Sequence, residues 1–165
     1  MMTPLIALST ALLLPSAHAF ETRKSSVIDK VTARDVSAML QMKGHEIEQK
    51  VDDMGDPLLN VKAPDLNYQV IFYNCTSNVC DTVQFRAMWP KDTKFTTDVL
   101  NDFNRTNRLG RAYLDSDRDP TIELMIEMRG GVTPEQLSFQ HDRFLQAGSN
   151  FRTHLITAME ASKSP

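Results

Sequence analysis

Residues 67–89 read NYQVIFYNCTSNVCDTVQFRAMW, and this stretch decides the fold. From Asn67 to Asn74 the side chains alternate. Tyr68, Val70 and Phe72 point one way; Gln69, Ile71 and Tyr73 point the other. That period of two predicts a strand. After Thr76-Ser77-Asn78-Val79 the alternation resumes, with Val83, Phe85, Ala87 and Trp89 on one face and Thr82, Gln84 and Arg86 opposite. Two alternating runs joined by a polar turn predict a hairpin in a sheet with one buried and one wetter face. The chain's two cysteines, Cys75 and Cys80, flank the turn. Residues facing each other across a hairpin come within bonding range, so a disulfide is expected. Closing so short a loop contributes about 2 kcal/mol on the chain-entropy model. A redox pair usually has two intervening residues where this pair has four, and a zinc site needs further ligands.

Upstream of the hairpin, Pro64-Asp65 ends a strand over Leu58 to Ala63, and Asp52-Asp53-Met54-Gly55-Asp56-Pro57 is a turn by chemistry. His45 to Val51 reads as a further strand. Before it, Thr32 caps a helix with Val36, Met39 and Leu40 on its apolar face, ending at Gly44. Downstream, Thr96 or Thr97 opens a second helix carrying Val99, Leu100 and Phe103 to about Leu109. A short strand follows over Arg111 to Asp115, then the turn Ser116-Asp117-Arg118-Asp119-Pro120. From Thr121 to Met128, Ile122, Leu124, Ile126 and Met128 are predicted inward, Glu123 and Glu127 outward. Thr133-Pro134-Glu135-Gln136 then starts a long helix with Thr at the cap, Pro at the first position and Gln at the third. Leu137, His141, Phe144, Gly148, Phe151, Leu155 and Met159 recur at helical spacing, a stripe suited to a sheet or to a partner helix. Gly148 in mid-helix points to close packing there. The two Asp-Pro turns are the one internal echo and read as repeated turn chemistry.

The first residues differ from the rest. Leu5 to Leu14 is apolar apart from Ser9 and Thr10; Pro15 and Ala17-His18-Ala19 follow. The run is shorter than the ~20 residues that span a bilayer. With its small-x-small site it predicts a signal peptide, residues 1–19, cleaved between Ala19 and Phe20. A flexible lead-in over 20–31, one α+β domain over 32–160 and a tail over 161–165 complete the expected organisation. Localisation is then periplasmic or secreted, with no stable membrane anchor after cleavage. The 165 residues carry a net charge of −3 with both signs interspersed, so no nucleic-acid partner is expected.

No sequence motif for catalysis stands out. Asp115, Asp117 and Asp119 lack the Gly and Glu of a calcium loop, having Pro120 and Ile126 at those positions. His141 is expected partly buried and His154 exposed. No cofactor, metal or catalytic residue is expected. The one polar concentration is Asn101, Asn104, Arg105, Asn107, Arg108 and Arg111 near the end of the second helix. Such residues cap terminal carbonyls, or supply forked donors to a carboxylate or phosphate. Asn104, Arg105, Arg108, Arg111 and Tyr113 are therefore the candidate binding residues.

The run from Asn101 to Asp115, NDFNRTNRLGRAYLD, resembles the signature of the YbjN family. So do Asp119-Pro120 with its Glu-containing strand, Gly130-Gly131-Val132-Thr133, Gly55-Asp56-Pro57, and Phe72-Tyr73-Asn74-Cys75 through Cys80 to Gln84-Phe85. The likeness spans roughly residues 32–160. Arg118 departs from it, because the family often has Gly in the second turn. The resemblance implies an α+β fold similar to type III secretion chaperones: helices on a twisted antiparallel sheet, with dimers common. The predicted His45–Val51 strand is one more than that scheme has. The family is labelled a sensory-transduction regulator, and it brings no catalytic residues to carry over. The expectation is a non-enzymatic periplasmic regulatory or chaperone-like protein that engages another polypeptide, with a homodimer suggested by the long last helix. The alternative is an envelope protein binding a small ligand or anion.

Overall fold

The computed structural model describes residues 26–161. The signal-peptide expectation, Ala19 and Phe20 included, and the tail from 162 onward lie outside those residues. Among the described residues the elements run α1 (Ala33–Met42), β1 (Glu46–Val51), β2 (Pro57–Lys62), β3 (Asn67–Thr76), β4 (Val79–Met88), α2 (Thr97–Thr106), β5 (Arg111–Leu114), β6 (Pro120–Glu127) and α3 (Pro134–Ala161). The six strands form one antiparallel sheet in the order β1-β2-β3-β4-β6-β5. This is the expected α+β class.

The β3–β4 hairpin forms the middle of the sheet, and alternation sets its faces. Val70 faces Phe85 and Phe72 faces Val83, and all four are fully buried. The turn is tighter than the sequence suggests. The strands continue to Thr76 and from Val79, leaving Ser77 and Asn78 at φ 53° and 63°. Two central residues with positive φ match the right-handed twist of a hairpin. Cys75 and Cys80 face each other and are bonded.

All three helices cover the apolar face. α1 lies over β1 and β2, where Gln49 Nε2 donates to Ser37 Oγ at 3.3 Å. Thr32 and Asp35 form a reciprocal capping box at its start. α3 crosses β4 and β6, so its apolar stripe is taken by the chain's own sheet: Leu137, His141, Phe144, Phe151 and Leu155 are buried. Phe144 stacks on Phe85 at 5.5 Å, and Phe151 meets Phe103 of α2 at 4.8 Å. Gly148 lies against Leu66; a Cβ there would sit 2.5 Å from Leu66 Cδ2. α2 ends at Thr106, earlier than its apolar pattern suggests. Thr106 Oγ1 and Asn107 Nδ2 both donate to the Phe103 carbonyl, closing the last turn with side chains. The segment before α1 is tied down where it is described. Ile28 bridges Val132 and Val31 bridges Cys80, leaving Val31 1% exposed.

The two Asp-Pro turns are one geometry used twice. Asp52 Oδ1 accepts from the amides of Met54 and Asp56; Asp115 Oδ1 accepts from those of Asp117 and Asp119. Each turn needs a left-handed residue at its fourth position. Gly55 supplies it at φ 87°, Arg118 at φ 65°. No helix among the described residues is long and apolar enough to cross a membrane.

Candidate functional site

Among the described residues the sheet's second face carries no helix, and cross-strand register assembles a polar row on it. Glu48, Asn60, Gln69, Arg86, Glu123 and Arg111 stand directly opposite one another across all six strands. Asn60 Nδ2 donates to Glu48, and Gln69 Nε2 donates to Asn60 Oδ1. A concavity of about 670 Å³ lies over this row at the β1–β4 end, with Glu48, Asn60, Gln69 and Arg86 in its lining.

Glu123 organises the other end. Its carboxylate accepts from Gln84 Nε2 at 2.8 Å, from the Tyr113 hydroxyl at 2.7 Å and from Arg111 at 2.5 Å. Tyr73 donates to Gln84 Oε1 at 2.6 Å, extending the chain of bonds onto β3. Glu123 points away from the helices, as its position in the alternation predicts, yet it is only 7% exposed. The expectation of a solvent-facing side chain is corrected: its partners on β4 and β5 cover it. A buried carboxylate is tolerable when charge-assisted bonds fill its lone pairs. Burial, and then the bond to Glu123, push the Tyr113 hydroxyl up to about 12.

The five candidate binding residues divide between two places. Asn104, on α2, donates to the Ala112 carbonyl at 2.8 Å and accepts from the Ala112 amide at 2.9 Å. Its amide thus imitates a neighbouring strand and occupies the outward backbone groups of Ala112 in β5. Arg105 pairs with Asp102 one helical turn back. Arg108 is exposed. Arg111 and Tyr113 join Glu123 on the open face, with the guanidinium 5.0 Å from the Tyr113 ring centre. Sequence reasoning missed Glu123 and Gln84. A signal existed: the Asp115–Asp119 turn sets the hairpin register that places Arg111 opposite Glu123.

A second feature lies on the helical side. The groove between α1 and the first turns of α3 encloses about 790 Å³ and is lined by Ile28, Met39, Met42, Leu137 and Phe139. Met42 is 83% exposed and Phe139 53% exposed, both unusual for large apolar side chains. The Lys43–Asp142 ion pair, 2.7 Å, lies along this groove.

Beneath that rim His141 is wholly buried, deeper than expected. Its Nε2 shares a 2.7 Å hydrogen bond with the Tyr68 hydroxyl, and Asp142 Oδ1 lies 3.5 Å from its Nδ1. Burial first, then the charges of His45 and Lys43, push its pKa down to about 4. Both ring nitrogens of His45, 5.3 Å away between ring centres, are buried without a hydrogen-bond partner. His154 is half-buried, where exposure was expected, because its Nε2–H donates to the Val99 carbonyl at 2.8 Å.

An antiparallel sheet with helices on one face, a polar bonded row on the other and an apolar groove between helices defines an α+β protein built around its surfaces. Residues 32–157 match the YbjN family model, described as "Putative bacterial sensory transduction regulator". The match covers most of the chain, and the protein belongs to the YbjN family, consistent with a regulatory role. No curated protein and no solved structure matches the chain.

Proposed function

We propose that this YbjN protein is an exported, non-enzymatic regulator that binds an amphipathic segment of another polypeptide in the groove between α1 and α3. The groove itself carries the proposal. Met39, Met42, Leu137 and Phe139 offer adaptable apolar contacts, and methionine suits surfaces that must accommodate a partner helix. Lys30, Lys43, Asp35 and Asp142 add both charge signs, matching a partner whose flanks are polar. Export rests on the leader sequence, and a Cys75–Cys80 bond accords with an oxidising compartment. The family resemblance implies a fold similar to type III secretion chaperones, an analogy that favours polypeptide binding without requiring it.

A photo-crosslinking residue placed at Met42 or Phe139 tests the reading in envelope extract. Discrete adducts are expected from both positions, lost with Phe139→Asp at the other site, and absent when the crosslinker replaces Lys62 on the open face. Recovery of only the uncrosslinked protein rejects the reading, as does capture from Lys62 alone. The anion-binding alternative is less well supported, because Arg105 and Arg111 already hold carboxylates. A thermal shift with inorganic phosphate that vanishes in Arg111→Ala would revive it.

A further inference from the structure

The two edges of the sheet are finished differently. On β5 the side-chain amide of Asn104 occupies the outward amide and carbonyl of Ala112. On β1 all six residues are in antiparallel register with β2, and such a ladder engages the backbone groups of alternate residues only, so the others point outward. Among the described residues, no backbone hydrogen bond from Glu46–Val51 goes anywhere but into the sheet. Five of these six residues are exposed, and Ile47 is half-buried. An edge with unpaired backbone groups is a template for another strand, and its side chains decide which strand is accepted.

We infer that the free edge of β1 is an interface for a second copy of this chain, joined antiparallel about a two-fold axis at Gln49. Symmetry restricts the choice. Both copies must use the same edge, so facing residues share parity and the axis must pass through a residue. An axis at Glu48 sets that carboxylate against its own copy, and an axis at Lys50 does the same with an ammonium. An axis at Ile47 opposes Glu46 to Glu48 of the second copy. An axis at Val51 overlaps only a few residues. Centred on Gln49, Glu48 faces Lys50 of the second copy, Lys50 faces Glu48, and Ile47 faces Val51. Opposite charges and apolar pairs in facing positions favour pairing, and like charges oppose it. Val51, 69% exposed in the single chain, gains an apolar neighbour in this register. The same charges discriminate against strands that carry a like charge opposite Glu48 or Lys50. The inference is independent of the groove between α1 and α3, and places dimerisation at a strand edge in place of the last helix.

Sedimentation of the purified protein across a wide concentration range, with far-ultraviolet circular dichroism to confirm folding, tests this. A dimer is expected. Lys50→Glu and Glu48→Lys should each weaken it by about tenfold or more, while the double exchange Glu48→Lys/Lys50→Glu restores it. Under mild oxidation Gln49→Cys should cross-link to itself across the axis, and Glu48→Cys should do so much more slowly. A protein monomeric throughout overturns the inference. So does a dimer indifferent to both single charge reversals, or equal cross-linking at positions 48 and 49.

Discussion

The two faces of the sheet are built from the same alternating strands and reach burial by opposite means. Behind the helices, Val70, Phe72, Val83, Phe85 and Ile122 are excluded from water by apolar packing alone. On the open face Thr82, Gln84, Thr121 and Glu123 are nearly as buried, and no helix among the described residues covers them. There the strands' own long side chains form the cover, with Arg111, Tyr113 and Tyr73 lying over the polar groups they bond. Exposure of a sheet face to solvent is therefore not the same as wetness of its residues. A face without a second layer can bury polar atoms when nearby strands and turns supply most of the partners; Arg86 Nε, buried without one, is an exception here.

The comparison breaks most visibly at its apolar side. Phe85→Ala removes a ring packed against Phe144, Tyr68 and His141 and should cost about 3–5 kcal/mol in urea unfolding. Next comes acid. The folded state holds the His141 pKa at about 4, against about 6.5 in the unfolded chain, so between these values the unfolded chain binds the extra proton. Stability is complete above about pH 6.5 and falls as pH drops towards 4, by on the order of 3 kcal/mol. Burial lowers the His45 pKa too, which adds in the same direction. Comparing urea midpoints at pH 7.5 and 4.5 should reveal the loss, and His141→Phe should flatten it.

The open face should respond less. Glu123→Gln weakens the charge-assisted bonds to Arg111 and Tyr113 and should cost about 1–3 kcal/mol. It should also bring the Tyr113 hydroxyl back towards its ordinary titration, visible in the tyrosinate absorbance. A double-mutant cycle with Tyr113→Phe should give a coupling clearly different from zero; additive losses would mean the bonded cover is incidental. Lys62→Gln, which removes a fully solvated 3.8 Å pairing with Glu46 on the same face, should leave the unfolding midpoint unchanged.

Local rules made much of this architecture legible. Period-two alternation located β3, β4 and β6, and Thr133-Pro134 located the start of α3, where Thr133 Oγ1 accepts from the Gln136 amide. Gly148 announced the close approach of Leu66. The bonded cover was not legible in that way. Glu123 sits at a position that alternation assigns to solvent, and its partner Gln84 is 39 residues away. Likewise, nothing local distinguishes Asn104 as a strand mimic from Asn104 as a helix terminus. Met42 and Phe139 sit almost a hundred residues apart in sequence, so the groove exists only once α1 and α3 share the sheet.

The Asn104 side chain has a consequence for aggregation. Fibrillar growth by strand addition requires every unit to be receptive at both ends, and here one end is already occupied from within. A second copy joined through its own β1 leaves only β5 edges outermost, each obstructed at Ala112, so growth beyond a pair is opposed.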